Sequence, residues 1–157
     1  MSLKKKVVGY RVEIYSYPEY NLLESIEFDL ENPYLNSEDA VENAVNEGTL
    51  HNVDPGPVPS RVPEKAKEVV SNNGVDVSDN FPRGFPDFLW LKDLEAILME
   101  VKMKSNSMSK SQKRILDKYD GDTRVAFVEK MKKVDPKMRE KTRDKKLNWG
   151  RYGYGKE

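Results

Sequence analysis

Apolar positions along this chain recur with two spacings, and the switching between them predicts the elements. Val7–Ser16 and Leu22–Leu30 carry Val, Ile, Tyr and Phe in partial alternation and flank Tyr17-Pro18-Glu19-Tyr20-Asn21, the pattern of a β-hairpin. Ala40, Val41, Ala44 and Val45 then form a helical stripe, with Ser37 as its expected cap and Gly48 as its stop. Asp54–Ser60 is too rich in proline for an element interior and reads as a loop. A second stripe, Ala66, Val69 and Val70, predicts a helix over Pro63–Asn73, ended by Asn72-Asn73-Gly74. Val75–Phe81 reads as a short strand. Asp87–Leu91 and Ala96–Lys102 are apolar strands joined across Lys92-Asp93-Leu94-Glu95. Ser109 caps a helix to Tyr119, with Ile115, Leu116 and Tyr119 inward, and Thr123–Val128 is a final buried strand. The order helix, strand, strand hairpin, helix, strand (αβββαβ) predicts an α/β fold of the α+β kind, a mixed central sheet flanked by helices with an N-terminal hairpin extension.

The hairpin at 87–102 concentrates the chemistry. A turn centred between Asp93 and Leu94 pairs Leu91 with Ala96, Leu89 with Leu98 and Asp87 with Glu100. Asp-Leu is a poor two-residue turn, and a four-residue loop with the same centre keeps that pairing. Side chains alternate along a strand, so Glu100 and Lys102 share a face with Asp87, and Ile97, Met99 and Val101 take the other. Opposed like charges about 5 Å apart repel unless a cation lies between them. A hard divalent ion fits, because it takes oxygen ligands and needs only one or two carboxylates plus water. Lys102 would stand beside it, placed to orient or deprotonate a water. Gly84 lets the backbone turn or approach closely, and Pro86 holds Phe85 extended, aiming the chain into the Asp87 strand.

Composition narrows the classes. The 157 residues are enough for one domain with a core, and 34% charged against 37% apolar residues makes that core modest. Cysteine is absent, which excludes disulfide and thiolate chemistry. No apolar run approaches the roughly 18 residues of a membrane span, and Met1–Lys6 lacks a following signal core, so a soluble, cytoplasmic protein is expected. Net charge is zero, yet residues 1–60 hold 4 Lys/Arg against 11 Asp/Glu, and residues 129–157 hold 11 against 5. The basic end suits a polyanion. In Asn148-Trp149-Gly150-Arg151-Tyr152-Gly153-Tyr154-Gly155-Lys156 aromatic rings interleave with Arg and Lys, which suits stacking on unpaired bases with the cations on phosphate; the other reading is a disordered solubilising tail, or aromatics docked on the body. The single histidine, His51, reads as an exposed loop residue without a role. Lys104, Lys110, Lys113 and Arg114 are further candidates for nucleic-acid contact. The implied divisions are an accessory region 1–60, a core 61–130 and a basic tail 131–157.

With Asp87, Glu100-Val101-Lys102 and Ser109-Lys110-Ser111-Gln112 in that order, residues from about Pro63 to Glu129 resemble the PD-(D/E)xK nuclease superfamily. Within it they look most like virus-type replication-repair nuclease and Holliday-junction-resolvase-like domains. The resemblance implies a restriction-endonuclease-like core in a metal-dependent enzyme that hydrolyses DNA phosphodiester bonds, with an intracellular, even virus-encoded, setting. It implies that Asp87, Glu100 and the Val101 carbonyl bind Mg²⁺ or Mn²⁺, that Lys102 activates the water, and that Gln112 supports Lys102 or the scissile phosphate. A further acid would come from the preceding helix, Glu64 or Glu68; the other reading of those two is a solvated face beside Lys65 and Lys67. A junction resolvase would need two sites and therefore a homodimer. Met103 departs from the glycine that often follows the lysine. Against the nuclease stand a catalytically silent DNA-binding or scaffolding module of the same fold and a structural protein assembling through its hairpin.

Overall fold

The computed structural model describes residues 5–29, 36–103 and 106–134. Among these residues eight strands and three helices follow one another as β1 (Lys5–Ser16), β2 (Leu22–Asp29), α1 (Ser37–Ala44), β3 (Thr49–Asn52), β4 (Gly56–Pro57), α2 (Glu64–Asn72), β5 (Asn80–Phe81), β6 (Phe88–Lys92), β7 (Glu95–Met103), α3 (Lys110–Lys118) and β8 (Thr123–Val134). Six of the strands form one mixed sheet in the order β2-β1-β8-β7-β6-β3. Neighbours run antiparallel except β7 and β8, which are parallel and joined by α3, as a parallel pair requires a crossover.

Alternation along the central strands splits the core between the two faces of this sheet. Leu89, Ala96, Leu98 and Val125 pack under α2 and α3 against Ala66, Val70, Ile115, Leu116 and Tyr119. Phe88, Trp90, Ile97, Met99, Val101, Ala126 and Val128 point the other way, onto Ala40, Val41 and Ala44 of α1. Both faces of β7 are buried, each large side chain there stabilising the fold by roughly 1.5–3 kcal/mol.

The β6–β7 register is the expected one, Leu91 opposite Ala96 and Leu89 opposite Leu98. Its turn is the two-residue kind, Lys92 facing Glu95, and Asp93 meets the geometric demand by adopting a φ of 56°. Ser109 caps α3 through the Gln112 amide, and the Gln112 side chain returns the bond to the Ser109 amide at 2.9 Å, a capping box. Helix α1 is capped by Asn36 rather than Ser37: the Asn36 side chain accepts from the Asp39 amide at 2.8 Å, and the helix ends at Ala44, before Gly48. Ser37, inside the first turn, donates instead to the Met103 sulfur at 2.9 Å. Met103 thus docks α1 on the end of β7.

Three parts of the sheet differ from expectation. The strand expected over Val75–Phe81 shrinks to Asn80–Phe81, which pairs with Gly56–Pro57 in a separate ribbon while Val75 and Val77 are buried without strand pairing. The edge beside β6 goes to Thr49–Asn52, a segment with no strand pattern of its own. The N-terminal hairpin is continuous with the central sheet, since β1 pairs with β8 from Lys5 opposite Val134 to Ser16 opposite Arg124. Residues 1–60, read as accessory, therefore supply three of the six strands. No helix among the described residues is long and apolar enough to cross a membrane. Most of the basic tail, including Arg151, lies outside the described residues, as does Lys104.

Candidate functional site

Asp87 immediately precedes β6, and its carbonyl accepts from the Val53 amide at 2.9 Å. Gly84 makes this approach possible. It sits at φ 89°, and a β-carbon there would lie 2.9 Å from the Ser111 backbone, so the entry to β6 rests directly on the first turn of α3. The Asp87 Oδ2 then accepts from the Val101 amide at 2.9 Å, replacing the ladder bond that β6 no longer supplies. In an extended strand the N–H and C=O of one residue point to the same side. The Val101 carbonyl therefore faces the side of Asp87, away from β8.

Glu100 lies on the face covered by α2 and α3, next to Leu98, and is 1% exposed. Its Oε2 is the one buried side-chain oxygen or nitrogen without a hydrogen-bond partner among the described residues. Burial, then a hydrogen bond and charge repulsion from Asp87, push the Glu100 carboxyl up to about 9; Lys102 and the Val101 amide act in the opposite direction. Lys102, two residues on and half-buried, shares the face of the two acids.

The other expected site residues distribute less evenly. Glu64 and Glu68 are exposed, and Glu64 pairs with Lys67 at 2.8 Å, so the solvated-face reading describes their placement. No group of three or more His, Asp or Glu side chains arranged to hold a metal occurs among the described residues. Gln112 stands at the start of α3 beside Ser111, which Gly84 abuts, but its Oε1 is engaged in the cap, leaving the amide nitrogen as its available donor. Lys110, Lys113 and Arg114 line the outer side of α3 with Asp117 and Lys118, on the same side of the sheet as the acid pair. His51 is a correction: it is buried in β3 opposite Leu89, and burial, then Arg61, holds its imidazole below the usual range.

Sequence reasoning also missed a pocket. Glu13, Tyr15, Tyr20 and Phe127 line a cavity of about 210 Å³. The sheet register carries this group to the acid pair, because Lys102 neighbours Phe127, which faces Glu13, and Glu100 neighbours Val125, which faces Tyr15. The only local signal is the odd placement of Tyr15 and Glu13 on the polar side of β1. Comparison with protein-family models, with curated proteins and with solved structures found no match to this chain.

Proposed function

We propose that the protein is a divalent-metal-dependent nuclease that hydrolyses DNA phosphodiester bonds. The observation that carries the proposal is the unpartnered, buried Glu100 Oε2 beside a second carboxylate. A buried acid lacking a partner destabilises a fold, and a second carboxylate beside it adds to the cost, unless a ligand engages them. The donor set fits Mg²⁺ or Mn²⁺: Asp87, Glu100 and the Val101 carbonyl are hard oxygen donors, and such ions are commonly held by one or two carboxylates with water completing the shell. When bound, a divalent ion there supplies a water of lowered pKa and neutralises phosphate charge.

The remaining chemistry belongs to the chain. Lys102 holds the attacking water by hydrogen bond and offsets the negative charge that develops on the phosphate oxygens. The Val101 amide holds the Asp87 carboxylate, and Gly84 seats the entry to β6 on the first turn of α3, so the carboxylate does not need to reorganise. The Gln112 amide nitrogen is a donor for a phosphate oxygen, and Lys110, Lys113 and Arg114 attract the strand by charge, making affinity fall steeply with salt. The likeness to virus-type replication-repair and junction-resolving nucleases supports the same assignment and points to branched or flapped DNA, in the resolvase version through a homodimer.

The test is cleavage of labelled duplex, single-stranded, flapped and four-way-junction DNA with Mg²⁺, Mn²⁺ or EDTA. Cutting in metal alone, reduced about 100-fold or more by Asp87→Asn and by Lys102→Ala, is the expected result. DNA binding without cleavage of any substrate, unchanged in both variants, would sink the nuclease and leave a binding module.

A further inference from the structure

The pocket lined by Glu13, Tyr15, Tyr20 and Phe127 has no part in the chemistry above, yet it lies on the same sheet face as the acid pair. Adjacent strands are about 4.8 Å apart, so the Phe127 backbone lies roughly 5 Å from that of Lys102, and β1 roughly 10 Å from β7. On the opposite face of β1 Tyr10, Val12 and Ile14 are buried, whereas Tyr15 is half-buried and Tyr20 is 46% exposed. The rings also brace one another. Tyr15 meets Phe127 edge-to-face with centroids 5.6 Å apart, and Tyr20 meets Tyr17 in the same way at 5.7 Å. Tyr17 in turn donates to Asp117 of α3 at 2.9 Å, which ties this corner to the helix bearing Lys110, Lys113 and Arg114.

We infer that this pocket receives an unpaired nucleobase of the strand whose phosphate lies at Asp87, Glu100 and Lys102. The inference rests on the nuclease reading and adds its substrate class: DNA with an unstacked nucleotide at the cleavage position. Rings at a cavity mouth stack on a base regardless of its sequence. Glu13, which receives the Tyr15 hydroxyl at 3.4 Å, gives the pocket its acidic wall. The cationic side of α3 faces the sugar-phosphate chain, and the acidic, aromatic pocket faces the base; a duplex, with its bases stacked and paired, cannot use both. Aromatic rings with a carboxylate also suit a cationic side chain of a peptide. Continuity with the acid pair and with the basic helix favours the base.

The experiment uses DNA carrying the fluorescent base 2-aminopurine, either unpaired in a gapped strand or inside a duplex, with the full chain in EDTA so that nothing is cut. Stacking quenches the probe. Quenching of the unpaired probe alone, with affinity lowered roughly 5- to 150-fold by Tyr15→Leu, lowered by Tyr20→Ser and kept by Tyr15→Phe, is the expected result. Equal quenching in duplex and gap, or affinity unchanged by Tyr15→Leu, would overturn it. So would binding of a trimethyl-lysine peptide that Tyr15→Leu abolishes while the DNA signal stays the same. Cleavage run in parallel with Mg²⁺ separates the two ideas. Cutting without probe quenching overturns the pocket and leaves the nuclease standing, whereas quenching without cutting overturns the nuclease and retains the base site.

Discussion

Two antiparallel hairpins in the same sheet treat their carboxylates in opposite ways. In β1–β2, Glu27 is half exposed and pairs with Arg11 at 2.7 Å, and Arg11 also reaches Glu129. Such exposed pairs contribute about 0.2–1 kcal/mol and can be exchanged without consequence for the fold. In β6–β7, Glu100 is closed off from water beside Asp87 with one oxygen unpartnered. Stability alone explains the first arrangement. The second costs free energy as it stands, and a cation would reverse the sign.

The largest expected difference follows from that contrast. Glu100→Gln lowers cleavage about 100-fold or more and removes the Mg²⁺-induced rise in Tm, which in the wild type reflects a stabilisation of about 2.7 kcal/mol at 100 times the Kd. In EDTA the same variant melts higher than the wild type, by an amount equivalent to about 1–3 kcal/mol, because the amide removes a buried acid. Glu27→Gln changes stability by less than about 1 kcal/mol and leaves cleavage alone. Thermal melts with and without Mg²⁺ read all of these. A Glu100→Gln protein that melts lower in EDTA and still responds to Mg²⁺ places the cation elsewhere.

A glycine within β1 and another just before β6 sharpen the comparison at smaller scale. A β-carbon at Gly84 strikes the Ser111 backbone, and one at Gly9 strikes the Phe28 carbonyl. Either alanine substitution destabilises by about 1–3 kcal/mol in urea melts. Gly84→Ala also slows cleavage, since Gly84 sets the entry of Asp87, whereas Gly9→Ala does not. Equal cleavage by the two variants would separate the Gly84 turn from the site.

The Ser-x-x-Gln turn gives the next effect. Gln112→Ala costs about 1 kcal/mol through loss of the cap; Gln112→Glu retains the cap and its stability but loses the amide donor, so cleavage falls in both. Retention of full cleavage by Gln112→Glu would reduce Gln112 to a capping residue.

Smallest is an effect of alkaline pH. The Tyr119 hydroxyl donates to the Ala96 carbonyl at 2.6 Å, anchoring β7 near its turn, and burial, then Asp122 and Glu95, pushes it up to about 12. The folded value lies above the free value of 10, so the folded state keeps its proton longer and stability falls as pH rises from about 10 to about 12. Urea melts at pH 8 and pH 11 show that loss in the wild type, reduced in Tyr119→Phe, which itself costs about 1 kcal/mol at pH 8.

The amino-acid sequence by itself determined what depends on neighbours along the chain. The β6–β7 register followed from a turn centre and a period of two, which together leave Asp87 and Glu100 on one face. The α3 cap followed from Ser109 and Gln112 at a spacing of three. Tertiary structure decided what depends on partners far away. Thr49–Asn52 becomes a strand only because β6 offers an open edge, which also buries His51. Glu64 and Glu68 lie at helical spacing, but which face of α2 meets the sheet is set by Ala66 and Val70 packing on it, and that packing turns both acids outward. Pairing of β1 with β8 brings Glu13 and Tyr15 beside Phe127, and no local pattern in the chain specifies that partner. That pairing is a contact between segments separated by more than a hundred residues, chosen by complementary burial of whole faces, and only the folded sheet sets these aromatic rings near the buried Glu100.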